Sequence, residues 1–350
     1  MTTFKAGLVG VTGYTGMELA RLLCGHGGLR LVRATSRSDA GRTLDQLFPG
    51  LGGLPVGGLT VSQPDVDDLA RACELVFLAV PHGTAMDMAA ALVERGVRVV
   101  DLSADFRIKD PATYAQWYGL EHRHPGLIAD AVFGLPELYA PAIRAARLVA
   151  NPGCYPTSAI LGLYPALSRG LAEADGLVVD SKSGATGAGR KAAVGSLFCE
   201  VADTFRAYNL GRHRHTPEIE QELSRFVGRD IRVSFNTHLL PINRGILSTC
   251  YARLARPATL AEVHAAYVDA YADAPWVRVL PQGALPETKN VRGTMFCDIG
   301  LVVDPRTDRL IVVSCIDNLC RGASGQALAN ANLMLGLDPA EGLRLAPLVP

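Results

Sequence analysis

Gly7-Leu8-Val9-Gly10-Val11-Thr12-Gly13-Tyr14-Thr15-Gly16 is the run on which the fold turns. The apolar residues of Lys5–Val11 read as a strand, and the spacing turns helical over Gly16–Cys24. Glycines at 10, 13 and 16 stand between the two. A glycine turn from strand to helix lets backbone N–H groups at the helix start approach a pyrophosphate. Such glycines alone specify only a tight turn. With a second strand following at Leu29–Thr35, they read as a dinucleotide site built from Gly10, Thr12, Gly13, Tyr14, Thr15 and Gly16.

The end of that second strand selects the nucleotide. An NAD site has an acid there for the ribose 2'-hydroxyl. Here Ser36, Arg37 and Ser38 occupy it, and the first acid is Asp39. Two hydroxyls and a guanidinium suit a 2'-phosphate, so NADP(H) is expected; as a solvated loop the same residues would be ordinary. Further on, Leu75–Val80, Thr84–Arg95, Val97–Leu102 and Arg147–Ala150 read as strand, helix, strand and strand. That alternation predicts a parallel sheet covered by helices.

Beyond residue 150 the texture changes. Val178–Lys182, Arg232–Asn236, Gly245–Ala252, Thr294–Val303 and Arg309–Cys315 read as strands, the last two joined by a turn at Asp304–Asp308. They predict a mixed or antiparallel sheet, with helices at Thr216–Phe226 and Leu260–Tyr271. The helix at Gly325–Leu335 is expected to return to the first domain. The expectation is an α/β chain. Residues 1–150 and 318–350 form a nucleotide domain, and 151–317 form an α+β catalytic and oligomerisation domain.

Composition narrows the function. Lys+Arg and Asp+Glu are 34 each among 350 residues, which gives no basic surface for nucleic acid or an anionic membrane. No apolar run approaches the ~20 residues of a membrane span. The N-terminus runs straight into a strand, so no signal peptide is expected. Eight cysteines include no Cys-x-x-Cys pair, which argues against zinc and against a disulfide framework. A reduced, cytoplasmic setting is the expectation.

One cysteine stands out. In Leu148-Val149-Ala150-Asn151-Pro152-Gly153-Cys154-Tyr155-Pro156-Thr157 a strand empties through a Pro-Gly turn into a thiol at a helix start, a position that favours thiolate. Pro165 is expected to kink or end that helix. Read alone, Cys154 serves equally as a buried structural thiol. His213 and His215 precede the helix that Thr216 is expected to cap, and imidazoles of near-neutral pKa are the usual proton carriers for a thiol. Either histidine alone reads as a surface residue. With Cys154 upstream, one of them is the expected acid, His215 ahead of His213. The run Asp180–Lys191 reads equally as a nest of N–H groups for an anion or as a mobile loop. Arg107, just past a parallel strand, suits a substrate carboxylate or phosphate, or an ion pair with Asp105 or Asp110.

Together these runs resemble the N-acetyl-gamma-glutamyl-phosphate reductase family along essentially the whole chain. The carriers are Gly10–Gly16, Pro81-His82-Gly83, Leu102–Arg107, Asn151–Thr157, Lys182-Ser183-Gly184, Gly187–Arg190, His213–Ile219 and Asp317-Asn318-Leu319. The one apparent departure is Thr186, where the family pattern has Ser. The resemblance implies a Rossmann domain joined to a glyceraldehyde-3-phosphate-dehydrogenase-like catalytic domain, NADPH, and a homodimer or homotetramer. It implies attack by Cys154 on an acyl phosphate, a thioester, and reduction to N-acetylglutamate semialdehyde in arginine biosynthesis. It adds Pro81, His82 and Asn318 to the cofactor residues. Arg107, Asn151, Ser183, Gly184 and Arg190 become the substrate residues. Two other readings stand beside it: a reductase of aspartyl or carrier-linked aminoadipyl phosphate, and a non-catalytic NADP(H) sensor.

Overall fold

The computed structural model describes residues 3–349. Met1, Thr2 and Pro350, the outermost residues of the expected nucleotide domain, lie outside the described residues. The chain forms two compact units, Met1–Pro152 with Ala323–Leu345, and Gly153–Gly322 with Ala346–Pro350. The C-terminal return therefore begins at Ala323 rather than at 318, and the described residues from Ala346 onward belong to the second unit.

In the first unit the chain runs through β1 (Phe4–Val9), α1 (Tyr14–Leu23), β2 (Leu29–Thr35), α2 (Leu44–Leu47), β3 (Val61–Ser62) and α3 (Val66–Ala72). It continues through β4 (Leu75–Leu78), α4 (Met86–Glu94), β5 (Arg98–Asp101), α5 (Pro111–Tyr118) and α6 (Pro125–Asp130). Last come β6 (Val132–Phe133), α7 (Pro136–Ala145) and β7 (Leu148–Ala150). The seven strands form a sheet ordered β3-β2-β1-β4-β5-β7-β6, and every pair is parallel. Leu8, Val76, Phe77, Val99 and Val149 are fully buried in it, as parallel strands covered on both faces require. The strand order reverses between β1 and β4, and open α/β sheets bind ligands beyond the strand ends at such a point.

The second unit opens with α8 (Cys154–Ser168), β8 (Leu177–Gly184), α9 (Phe198–Val201), β9 (Arg206–Tyr208) and α10 (Thr216–Val227). Then follow β10 (Val233–Leu240), β11 (Ile246–Arg253), α11 (Leu260–Ala270), β12 (Val277–Val279), β13 (Cys297–Asp304) and β14 (Arg309–Ile316). Their sheet is mixed, ordered β12-β13-β14-β11-β8-β10-β9. The expected hairpin is there: β13 and β14 pair antiparallel from Asp304↔Arg309 to Cys297↔Ile316. The returning helix α12 (Gly325–Leu335) lies against α7 in the first unit.

Helix α8 corrects one expectation, because it runs its full length through Pro165. A proline there leaves the carbonyl of Leu161, one turn back, without its helical donor. The Tyr271 hydroxyl donates to that carbonyl, and the Tyr267 hydroxyl donates to the neighbouring Gly162 carbonyl at 2.7 Å. Two tyrosines at the end of α11 thus repair the helix. Beneath α8, four fully buried serines form one polar seam. Ser158 Oγ donates to Ser248 Oγ at 3.0 Å and lies 3.2 Å from Ser314 Oγ, while Ser181 Oγ is 2.7 Å from Ser248 Oγ. Buried hydroxyls that satisfy one another specify a register that apolar contacts alone would leave loose. The seam fixes the height of α8 on its sheet.

Candidate active site

The glycine turn of the first unit is built around two crowded positions. Gly10 has φ +88°, and a Cβ there would sit 2.2 Å from the Ala79 carbonyl oxygen; one at Gly16 would sit 2.3 Å from the Gly10 oxygen. Only glycine fits either place. Gly13 differs, since its nearest neighbour is 3.8 Å from a built Cβ. Nothing in the protein demands a glycine there, so the missing side chain leaves room for something else. Gly13 is also the N-cap of α1 and offers no side-chain cap. The Gly10 and Val11 N–H groups donate to the Thr35 carbonyl at 3.0 and 3.1 Å, which ties the turn to the end of β2.

A cavity of about 260 Å³ opens beside this turn, lined by Gly10, Thr12, Ser36, Arg37, Ser38, Pro81 and Thr84 among others. Beside it the buried Thr35 Oγ1 has no hydrogen-bond partner among the described residues. Ser36 Oγ lies 3.3 Å from Thr12 Oγ1, and Ser36 and Ser38 both donate to Asp39. Arg37 is exposed. An open glycine, an uncapped helix start and a cation flanked by hydroxyls fit a dinucleotide carrying a 2'-phosphate. Tyr14 and Thr15 form the first turn of α1, where the Thr15 carbonyl accepts from Ser324 at 2.8 Å.

The loops after β4 and β5 hold Pro81, His82 and Arg107. His82 faces the neighbouring loop: its Nδ1 accepts from the Ala104 N–H at 2.9 Å and its ring packs edge-on against Tyr118. Arg107 is buried, and its Nη2 donates to the Leu102 carbonyl at 2.8 Å. Burial, then the charge of Asp105, pushes the Asp101 carboxyl up to about 7. Asn151, expected to meet substrate, is buried and bonded within the first unit. Its Nδ2 donates to the Ala323 carbonyl at 3.2 Å, and its Oδ1 accepts from Asn330 at 3.0 Å.

In the second unit Cys154 is the first residue of α8 and is half-buried. No side chain of Gly153 caps the helix; the Gly153 N–H donates to Glu218 Oε1 at 2.7 Å instead. Glu218 is fully buried and lies 65 residues away on α10. Gly322 presses on the thiol residue from the other side, where a Cβ would come within 2.6 Å of Cys154 Cβ. Neither residue had a role in the sequence reading. Glu218 sat in plain view, three residues after His215, and Gly322 carried no local signal.

The two histidines stand beside the first turn of α8. Tyr155, next to the thiol, contacts both rings, with centroids 5.2 Å from His213 and 6.0 Å from His215, and the two imidazoles are 4.8 Å apart. Tyr155 and Tyr208 share a hydrogen bond of 2.6 Å. His213 is not the near-neutral imidazole expected, because burial, and then Arg214, pushes it down to about 4. Its Nδ1 accepts from the His215 backbone N–H at 3.1 Å. Thr216 does not cap α10. It is the first helical residue, His215 is the N-cap, and Thr216 Oγ1 donates to the His213 carbonyl at 2.7 Å.

In the run expected as an N–H nest after β8, three N–H groups are taken up within the unit. The N–H groups of Gly184, Ala185 and Thr186 donate to the carbonyls of Gly245, Ile242 and Asn243, closing a tight corner against the start of β11. Ser183 is buried and donates to the Gly184 carbonyl at 3.0 Å. Asn318 belongs to the same corner: Oδ1 accepts from the Gly245 N–H at 2.8 Å and Nδ2 donates to Thr186 Oγ1 at 3.0 Å. Arg190 is exposed. Among the described residues no cluster suits a metal ion, and no helix is long and apolar enough to cross a membrane.

The chain matches two family models. One, described as semialdehyde dehydrogenase, NAD binding domain, covers residues 5–146; the other, semialdehyde dehydrogenase, dimerisation domain, covers residues 154–318. It is 51% identical over 346 residues to the N-acetyl-gamma-glutamyl-phosphate reductase of Pelotomaculum thermopropionicum, covering 99% of each chain. It is 50% identical over 347 residues to that of Desulfotalea psychrophila, again with 99% of each covered. Among solved structures, aspartate semialdehyde dehydrogenase II of Vibrio cholerae superimposes with a TM-score of 0.72 at 16% identity, over 96% of this chain and 99% of that one. The aspartate semialdehyde dehydrogenase of Candida albicans, solved with NADP, gives 0.71 at 17% identity over 95% and 99%. Both likenesses show the two-domain fold.

Proposed function

The chain belongs to the N-acetyl-gamma-glutamyl-phosphate reductases, and we propose that it makes their aldehyde through a thioester on Cys154. It reduces N-acetyl-L-glutamyl 5-phosphate with NADPH to N-acetyl-L-glutamate 5-semialdehyde and phosphate, a reaction of arginine biosynthesis. The observation that carries the mechanism is the seat of Cys154, on the first turn of α8 with Gly153 held by Glu218.

The Cys154 thiolate attacks the acyl carbon, and a C–S bond forms as the acyl–oxygen bond to phosphate breaks. The N–H groups of the first turn of α8 face the tetrahedral oxyanion. Bound NADPH supplies the hydride that takes the acyl group to the aldehyde level. His215 protonates the thiohemiacetal oxygen, and the proton returns to it as the carbonyl re-forms and the sulfur leaves as thiolate. The proton consumed overall goes to the departing phosphate. His213, held neutral, fixes the His215 backbone through its Nδ1. Gly10, Thr12, Gly13 and the first turn of α1 would hold the pyrophosphate, and Ser36, Arg37 and Ser38 the 2'-phosphate. Arg107 and Arg190 would grip the substrate's anionic groups.

Arg37→Ala is expected to raise the KM for NADPH about tenfold or more while leaving that for NADH within about twofold. Equal losses for the two nucleotides would remove Arg37 from the 2'-phosphate. The chain is proposed to work in the cytoplasm as a homodimer or homotetramer. The matched dimerisation domain supports the assembly, as does the exposed apolar group of Val194, Phe198 and Phe205 in the second unit. The reaction run backwards tests the function: with NADP+ and phosphate, N-acetylglutamate semialdehyde should be oxidised at least about a hundredfold faster than aspartate or aminoadipate semialdehyde. Preference for either of the others would assign the chain to another acyl phosphate.

A further inference from the structure

Two loops of the first unit, 81–85 after β4 and 102–107 after β5, are fastened together by one buried carboxylate. Asp105 is fully buried. Its Oδ1 accepts from the Gly83 N–H at 2.7 Å and from the Tyr114 hydroxyl at 2.8 Å, and its Oδ2 accepts from the Ala85 N–H at 3.1 Å. A carboxylate is costly to bury unless such donors surround it. Ala85 is the N-cap of α4, and Asp105 holds the helix start from the next loop by accepting from the Ala85 backbone N–H. A Glu or Gln at position 88 would accept from that N–H locally. Placing the acceptor 20 residues onward instead makes the start of α4 depend on where the second loop sits.

The second loop is braced in turn. Asp105 donates its N–H to Ser103 Oγ at 3.1 Å, and Ser103 donates to Asp101 at the end of β5 at 2.7 Å. His82 accepts from Ala104 at 2.9 Å, a further tie between the loops. Each loop also carries residues proposed to meet a ligand. Pro81 and Thr84 line the nucleotide cavity, and Arg107 follows Asp105 by two residues.

We propose that Asp105 is a positioning residue that holds the nucleotide cavity and the substrate arginine in one register, so that losing it weakens both ligands together. The proposal rests on Arg107 as a substrate grip. Asp105→Asn replaces one acceptor oxygen with an NH2 group facing N–H donors. It is expected to raise the KM for NADPH and for the acyl phosphate in parallel, each by about tenfold. Because Cys154 belongs to the other unit, kcat should stay within about threefold and the alkylation rate of Cys154 should not change. A purely structural residue would lower the melting temperature and leave both KM values alone.

Tyr114→Phe removes a single donor and is expected to move both KM values the same way, by about two- to threefold. It decides the matter should Asp105→Asn fail to fold by circular dichroism. Arg107→Ala separates the proposal from the reading beneath it. An unchanged acyl-phosphate KM in that variant would remove Arg107 as the grip. A raised KM there, beside an Asp105→Asn or Tyr114→Phe protein in which only one KM or neither moves, would overturn the coupling alone.

Discussion

Cys154→Ser is expected to lose acyl-phosphate reduction by about four orders of magnitude or more while binding NADPH as tightly as the parent. Serine is close to cysteine in size, so α8, the Gly153–Glu218 hydrogen bond and the contact with Gly322 should all survive. What disappears is a sulfur that ionises far more readily than a hydroxyl oxygen. A hydroxyl at a helix start gains the same favourable dipole, but it begins far too high in pKa for that to matter. The nucleotide cavity is built entirely from residues of the first unit, so a fluorescence titration with NADPH should be unaltered. Activity retained within about tenfold would mean that the acyl group never bonds to residue 154.

His215→Asn carries the second large effect, a fall in kcat of about a hundred- to a thousandfold. The two imidazoles share one cluster, and the proposal gives them different roles. Burial, and then Arg214, pushes His213 down to about 4, which favours its neutral form at neutral pH, and its Nδ1 is taken by the His215 N–H. An ionisation seen in kcat between pH 6 and 8 is therefore expected to belong to another group. In His215→Asn that limb of the pH–rate profile should vanish. In His213→Asn it should persist, with a smaller loss arising from a displaced His215 backbone. The reverse pattern would exchange the two roles, and a parental profile in both variants would remove the pair from proton transfer.

Much of the fold was legible because its signals are local. Gly10 and Gly16 announce a turn that only glycine can make, and the hairpin at Asp304–Asp308 follows from short-range turn chemistry. What escaped depends on partners far along the chain. Pro165 sits inside a helix because tyrosines about a hundred residues later take up the exposed carbonyls, 110 residues on for Tyr271 and 105 for Tyr267. Asn151 and Asn318 look like ligand residues in their motifs, yet their amides are bonded to Ala323, Asn330, Gly245 and Thr186. The glycines and hydroxyls of 183–189 resemble an anion nest, but the N–H groups of Gly184, Ala185 and Thr186 close a corner with the 242–245 segment. Glu218 and Gly322, which bracket Cys154, could not be assigned from spacing because each acts across a long loop of chain. Cys154 and the two histidines stand out as candidates for the opposite reason. A thiol after Pro-Gly at a helix start, and paired imidazoles ahead of another helix, carry their chemistry in adjacent residues.

The most direct test of the covalent step leaves the reductant out. The unmodified protein is mixed with N-acetylglutamyl phosphate alone, and inorganic phosphate is followed by rapid quench while the Cys154 peptide is weighed by mass spectrometry. A phosphate burst of about one equivalent per chain, with an acyl adduct on Cys154 that NADPH then clears, is the predicted result. No burst, and an unmodified Cys154 peptide from a preparation that turns over normally once NADPH is added, would contradict the thioester.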